Sequence, residues 1–148
     1  MLTPIGAEVR QHMTDSKFDE GMAARRRVLG DEYVDRAFAG LDSFNREFQE
    51  TVTEYCWGGV WARSVLTDKQ RSLNNLCILS ALNRSHEFKT HLRAAIGNGC
   101  TLEEIRDTLL QVSVYAGVPA GVEAFRLARE VLDDLGIVPD ETMKAEPT

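Results

Sequence analysis

The sequence predicts an all-α protein of six to seven helices. Apolar residues recur at three- and four-residue spacing in nearly every segment. Two capping boxes mark helix starts. Alternation of apolar and polar residues over four or more positions is scarce, and no Asn-Gly hairpin signal lies between β-branched runs.

Phe18 to Leu29 reads as a first helix closed by Gly30, and Asp31 starts the next. Between Tyr33 and Tyr55, the residues Val34, Ala37, Phe38, Leu41, Phe44, Phe48, Val52 and Tyr55 keep helical spacing. This stretch is one long helix or two broken near Gly40, and Trp57-Gly58-Gly59-Val60-Trp61 ends it. Thr67-Asp68-Lys69-Gln70 is a capping box opening a helix through Leu73, Leu76, Cys77, Leu79 and Leu82, which breaks near Asn83 to Ser85. The next helix spans about His86 to Ile96 and stops at Gly97-Asn98-Gly99. Thr101-Leu102-Glu103-Glu104 is the second capping box, and its helix reaches Tyr115. Pro119 suits the first turn of the last helix, whose apolar stripe includes Val122, Phe125, Val131 and Leu135. Several helices are apolar on more than one side, which predicts packing between subunits as well as within one.

The 148 residues suit a single domain, residues 1–138, with a polar, loose tail at 139–148. With 43% apolar and 27% charged residues, the composition is that of an ordinary globular protein. A net charge of −6 argues against non-specific nucleic-acid binding. No apolar run could span a bilayer and the N-terminus lacks a signal-peptide stretch, so the cytoplasm is the expected location. Cys56, Cys77 and Cys100 have neither CxxC nor zinc-finger spacing, which fits free thiols and no structural metal.

The segment most suggestive of chemistry is Arg84-Ser85-His86-Glu87-Phe88-Lys89-Thr90-His91. On a helix, Arg84, Glu87 and His91 share one face, presenting a cation, a carboxylate and a group that titrates near neutrality. A lone helical histidine is more often structural than catalytic. Glu87 one turn before His91 changes that balance, because a carboxylate there can orient the imidazole. His86 lies about 140° away around the same helix, if the helix already includes it. Arg71, in the first turn of its helix, works against the local dipole, as a residue kept for an anionic ligand would. Trp57 and Trp61 flank paired glycines and read first as core or interface, second as pocket walls. Gly117-Val118-Pro119-Ala120-Gly121 reads as a tight turn that would also let Tyr115 pack against a ligand. No P-loop, GxGxxG, GxSxG or HExxH is present.

In order along the chain stand Gly21-Met22, Arg26-Arg27-Val28-Leu29-Gly30-Asp31, Tyr55-Cys56-Trp57-Gly58 with Trp61, Arg71-Ser72-Leu73, and His86-Glu87 with His91-Leu92-Arg93-Ala94-Ala95. Glu103-Glu104-Ile105-Arg106, Leu110-Gln111-Val112 and Val114-Tyr115-Ala116-Gly117-Val118-Pro119-Ala120 with Ala124-Phe125 follow. From about Phe18 to Leu135 the chain thereby resembles the carboxymuconolactone decarboxylases. The wider superfamily shares its helical fold with alkylhydroperoxidase-like enzymes, which carry CxxC followed four residues later by histidine. That histidine matches His91, while Arg84 and Glu87 occupy the cysteine positions, so disulfide chemistry cannot run there. The chain departs from the decarboxylase pattern at Asn74, Asn75, Cys77, Ser80 and Asn83, where mostly apolar or small residues are usual.

The resemblance implies an alkylhydroperoxidase-like helical domain in a ring-shaped homo-oligomer, a trimer or hexamer, with no cofactor and no metal. It implies decarboxylation of 4-carboxymuconolactone (γ-carboxymuconolactone) to β-ketoadipate enol-lactone in protocatechuate and aromatic degradation. The partners expected are a small carboxylated lactone and further copies of the chain, with neither nucleic acid nor membrane. On this reading His91, oriented by Glu87, is proton donor or oxyanion partner, and His86 takes the other role. Arg71 and Arg84 hold the substrate's acetate carboxylate, Trp57 and Trp61 exclude water, and Tyr115 lines the pocket. The alternatives are a related decarboxylase or isomerase for another lactone or aromatic acid, or a thiol-dependent peroxidase-like enzyme.

Overall fold

A computed structural model describes the backbone of residues 5–142 and the side chains of residues 16–142. Among the described residues it contains eight α-helices, one π-helical segment and no strand. The helices are α1 (Ile5–Leu29), α2 (Asp31–Ala39), α3 (Arg46–Val52), α4 (Asp68–Ala81), α5 (Ser85–Gly97), α6 (Leu102–Tyr115), α7 (Val118–Asp134) and α8 (Pro139–Thr142). The π segment, Thr53–Trp61, continues directly from α3. No described helix is long and apolar enough to cross a membrane. The chain falls into two compact units, Met1–Leu66 and Thr67–Thr148.

In the first unit, α1 ends where the sequence predicts, at Gly30, whose φ of 89° suits only a residue without a Cβ. Arg26 spans the α1–α2 corner, with one nitrogen 2.7 Å from Asp35 and another 3.2 Å from Asp31. The chain then breaks after Gly40. Asp42 accepts hydrogen bonds from the backbone N–H groups of Phe44 and Asn45, offering the chain a local alternative to helix. The spacing of Phe44, Phe48 and Tyr55 does not mark a core face: they are 94%, 64% and 81% exposed. Arg25 is buried instead, donating to the Thr53 hydroxyl at 3.1 Å and lying over the Phe38 ring.

The helical path ends with Trp57-Gly58-Gly59-Val60-Trp61, as predicted, with Ala62 as its C-cap, but these residues are themselves helical and form most of the π segment. Tertiary packing overrides the local preference of two glycines. A Cβ on Gly58 would lie 2.2 Å from the backbone oxygen of Lys17, and one on Gly21 would lie 2.0 Å from that of Thr53. These glycines therefore let the backbones of α1 and the π segment touch, rather than opening space for a ligand. Trp57 and Trp61 are buried and stack with centroids 5.1 Å apart.

The second unit is built around Leu76, Phe88, Leu92, Ala95, Ile105, Leu109, Ala124, Leu127 and Val131. Both predicted capping boxes are present, Thr67 with Gln70 and Thr101 with Glu104. Pro119 lies in the first turn of α7, and a Cβ on Gly121 would strike Ser113, so α6 and α7 meet closely there. The buried face of α7 is Gly121, Ala124, Leu127, Ala128 and Val131; Val122, Phe125 and Leu135 face outward, contrary to the predicted stripe. Of the tail expected to be loose, Pro139–Thr142 forms one helical turn, and 143–148 lie outside the described residues.

The glycine contact has a measurable cost. Gly58→Ala is expected to destabilise the protein by about 1–3 kcal/mol through overpacking against α1. Gly59→Ala, whose added Cβ would meet only an ordinary contact 3.9 Å away, should change stability by less than about 0.5 kcal/mol. Urea denaturation of the two variants checks this; equal midpoints would contradict it.

Candidate active site

The site is assembled on a helical hairpin, α4 and α5. Thr67 fixes the start of α4: its hydroxyl accepts from the Gln70 N–H at 3.1 Å, and the Gln70 side chain accepts from the Thr67 N–H at 2.9 Å. The hairpin turns through Asn83, which adopts φ 57°, a left-handed conformation that asparagine tolerates better than most residues. At the far end, Asn98 donates to the fully buried Ser72 hydroxyl at 3.1 Å, tying the end of α5 to the start of α4. Phe88 and Leu92 bury one side of α5 completely and thereby set the direction in which His91 points.

His91 is half-buried beside α4, with its Nδ1 3.4 Å from the side-chain nitrogen of Asn75. Burial pushes the imidazole below its ordinary value of 6.5, and the negative charge of Glu87 pulls it partly back. A ring so placed stays neutral around neutral pH and can donate one N–H and accept at its other nitrogen. This suits it to hydrogen-bond a developing oxyanion.

The other predicted residues are placed as follows. Glu87 is exposed on α5, one turn before His91. His86 is exposed and already helical, because α5 begins at Ser85, so it stands well around the helix from His91. Arg84 is exposed at the N-cap of α5, and Arg71 is half-buried in the first turn of α4. Tyr115 is 85% exposed and borders a hollow of about 260 Å³ together with Cys77, Ala81, Gln111, Val112 and Ala116. Trp57 and Trp61 belong to the first unit. Geometry thus joins His91 and Glu87 on one helix and adds Asn75 from its neighbour.

The sequence marks Asn75 as a departure from a family pattern but does not pair it with His91, which it meets directly. One signal could have found it. Asn75 and His91 each lie eight residues from Asn83, and positions equidistant from the turn of an antiparallel hairpin lie side by side. Asn83 serves the turn, and Ser80 bonds back to the Leu76 carbonyl within its own helix.

All three cysteines are free thiols, and burial pushes each of them up from its ordinary value. Such thiols stay protonated near neutral pH and are poor nucleophiles. Among the described residues no three His, Cys, Asp or Glu side chains gather as metal ligands.

Residues 46–130 match the model of the Carboxymuconolactone decarboxylase family. The chain is 39% identical over 130 residues to the 4-carboxymuconolactone decarboxylase of Acinetobacter baylyi, covering 88% of this chain and 97% of that protein. It is 42% identical over 118 residues to the Nitrosuccinic acid decarboxylase npaB of Metarhizium robertsii, covering 80% and 82%. A 4-carboxymuconolactone decarboxylase of Pseudomonas putida is 50% identical over 42 residues, 28% of this chain and 88% of that protein.

The electrostatics of His91 give a prediction with a definite sign. Its titration, followed by NMR, should have a midpoint below 6.5, and Glu87→Gln should lower it further by removing the charge that pulls it up. The ring then remains neutral to more acidic pH in the variant. A midpoint that rises in Glu87→Gln would contradict this picture of the site.

Proposed function

The chain belongs to the carboxymuconolactone decarboxylase family, and we propose that it is a carboxy-lyase converting 4-carboxymuconolactone to β-ketoadipate enol-lactone. The observation at the site that carries this reading is a half-buried histidine held neutral by burial and bonded to a neutral amide. The reaction belongs to the degradation of protocatechuate and related aromatic acids.

The chemistry asks little beyond what such a site supplies. The departing carboxylate stands on the ring carbon γ to the lactone carbonyl. As its carbon–carbon bond breaks, the electron pair moves through the ring double bond onto the carbonyl oxygen. Carbon dioxide leaves, and the enolate then takes a proton on the ring carbon beside the carbonyl. The substrate is its own electron sink, so the reaction can run without cofactor or metal. What remains is to stabilise the enolate oxygen and deliver a proton.

His91 takes the first task as a neutral N–H donor, supported by the fall in its pKa on burial. His86, exposed at the start of the same helix, is the candidate for the second. Arg84, at the helix start, and Arg71, in the first turn of α4, are the candidate clamps for the acetate carboxylate. Glu87 tunes His91 through its charge.

A second reading takes the same machinery to a nitro acid, favoured by the similarity to a nitrosuccinic acid decarboxylase across 80% of the chain. A nitro group next to a departing carboxylate accepts the electron pair as a nitronate, and the histidine would then face nitronate oxygen instead of enolate.

The reading extends to assembly and location. Val114, Tyr115, Val118 and Val122 stand exposed along α6 and α7, as side chains that pack against further copies would. A homo-oligomeric ring, a trimer or hexamer, would cover such residues, and a monomer in sedimentation equilibrium would remove this part of the proposal. Three free thiols fit the reducing cytoplasm.

Purified protein mixed with freshly generated 4-carboxymuconolactone, without added cofactor, is expected to release carbon dioxide and form the enol-lactone. His91→Ala should lower kcat by about 10²–10³, the usual worth of one oxyanion donor. Turnover of nitrosuccinate alone would establish the second reading. Retention of near-wild-type turnover in both His91→Ala and His86→Ala would sink the assignment of the site.

A further inference from the structure

Asn75 stands half-buried on α4 with its side-chain nitrogen 3.4 Å from Nδ1 of His91, and this contact constrains the ring chemically. An amide nitrogen can only donate. A neutral imidazole carries one proton, so the ring nitrogen that faces the amide NH₂ must be the bare one. The proton then lies on Nε2. Glu87, the carboxylate that acts on the ring, does so from its own helix through charge, whereas α4 meets the ring with this neutral amide.

We propose that Asn75 is the positioning residue for His91, donating to Nδ1 and holding the ring as an Nε2–H donor. The proposal deepens the decarboxylase reading and rests on it for its catalytic meaning. The residue type at position 75 decides what the histidine can do. A carboxylate there would accept from Nδ1–H and leave Nε2 bare, turning a hydrogen-bond donor into a proton acceptor. An apolar residue would take the hydrogen bond away from Nδ1 and with it this control over the tautomer. A reaction that builds negative charge on an oxygen needs the donor, and an amide secures it without adding charge to the site.

The placement is rigid enough to matter. α4 is fixed at its start by the Thr67 capping box, and that start is tied to the end of α5 by the bond from Asn98 to Ser72. Leu76, adjacent to Asn75, and Leu92, adjacent to His91, are both fully buried. Neither helix can shift at these positions without disturbing the core.

The test uses the full chain with ¹⁵N-labelled histidine, observed without substrate above the titration range of His91, whose resonances are identified by their loss in His91→Gln. In the wild type, Nε2 should appear protonated and Nδ1 bare. Asn75→Asp should move the proton to Nδ1. Should that variant not fold, Asn75→Leu should shift the bare-nitrogen resonance to that of a ring nitrogen without a hydrogen bond. In turnover, Asn75→Leu should lower kcat about tenfold with KM little changed, as expected when a catalytic group loses orientation. A wild-type ring protonated on Nδ1, as a flipped amide would require, overturns the proposal. So does an Asn75 variant whose His91 resonances match the wild type. Because the spectra need no substrate, failure to decarboxylate the lactone would remove the functional reading and leave this result to stand or fall separately.

Discussion

The close antiparallel packing of α5 along α4 is the constraint on which the candidate site depends. It takes His91 partly out of water, brings Asn75 to one ring nitrogen, and leaves Glu87 on the outer side of the same helix. Holding a histidine below its ordinary pKa costs about 1.4 kcal/mol for every tenfold loss of proton affinity, whenever the ring would otherwise be charged. Burying a leucine or phenylalanine side chain is worth about 1.5–3 kcal/mol. Phe88, Leu92 and Leu76 are completely buried in this unit and stabilise the packing that shields the ring.

Ion pairs contribute differently. Lys89 pairs with Glu130, and Arg93 with Asp134 at 2.7 Å, both joining α5 to α7. These side chains are substantially solvent-exposed, and water and salt screen such pairs. They align α5 on α7 more than they hold it there. The α6–α7 corner is set sterically, by Gly121 against Ser113 and by Gly117, whose φ of 101° lets the chain reverse. Few of these features involve the residues of the proposed chemistry. The site therefore sits on a scaffold held mainly by other residues.

Where structure follows from neighbouring residues, the sequence was readable. The two capping boxes, the stop at Gly30, the break around Asn83 and the proline in the first turn of α7 all depend on residues within one or two turns. Tertiary contact decides the features that were misread. Two glycines between tryptophans mark the helix end, but that they are themselves helical follows only from the contact of Gly58 with α1. Phe44, Phe48 and Tyr55 have core-like spacing but do not face the core of the chain. At the site, His91 and Glu87 were visible because they share a helix. Asn75 belongs to the preceding helix, and only the symmetry of the hairpin about Asn83 links it to the ring.

The central claim is that His91 holds the oxygen on which charge develops. The most direct measurement is a crystal structure of the protein with the product enol-lactone bound. The account expects the lactone carbonyl oxygen about 2.7–3.2 Å from Nε2 of His91, while Asn75 remains on Nδ1. A lactone seated with its carbonyl away from His91, or with Nε2 turned from it, would contradict the account.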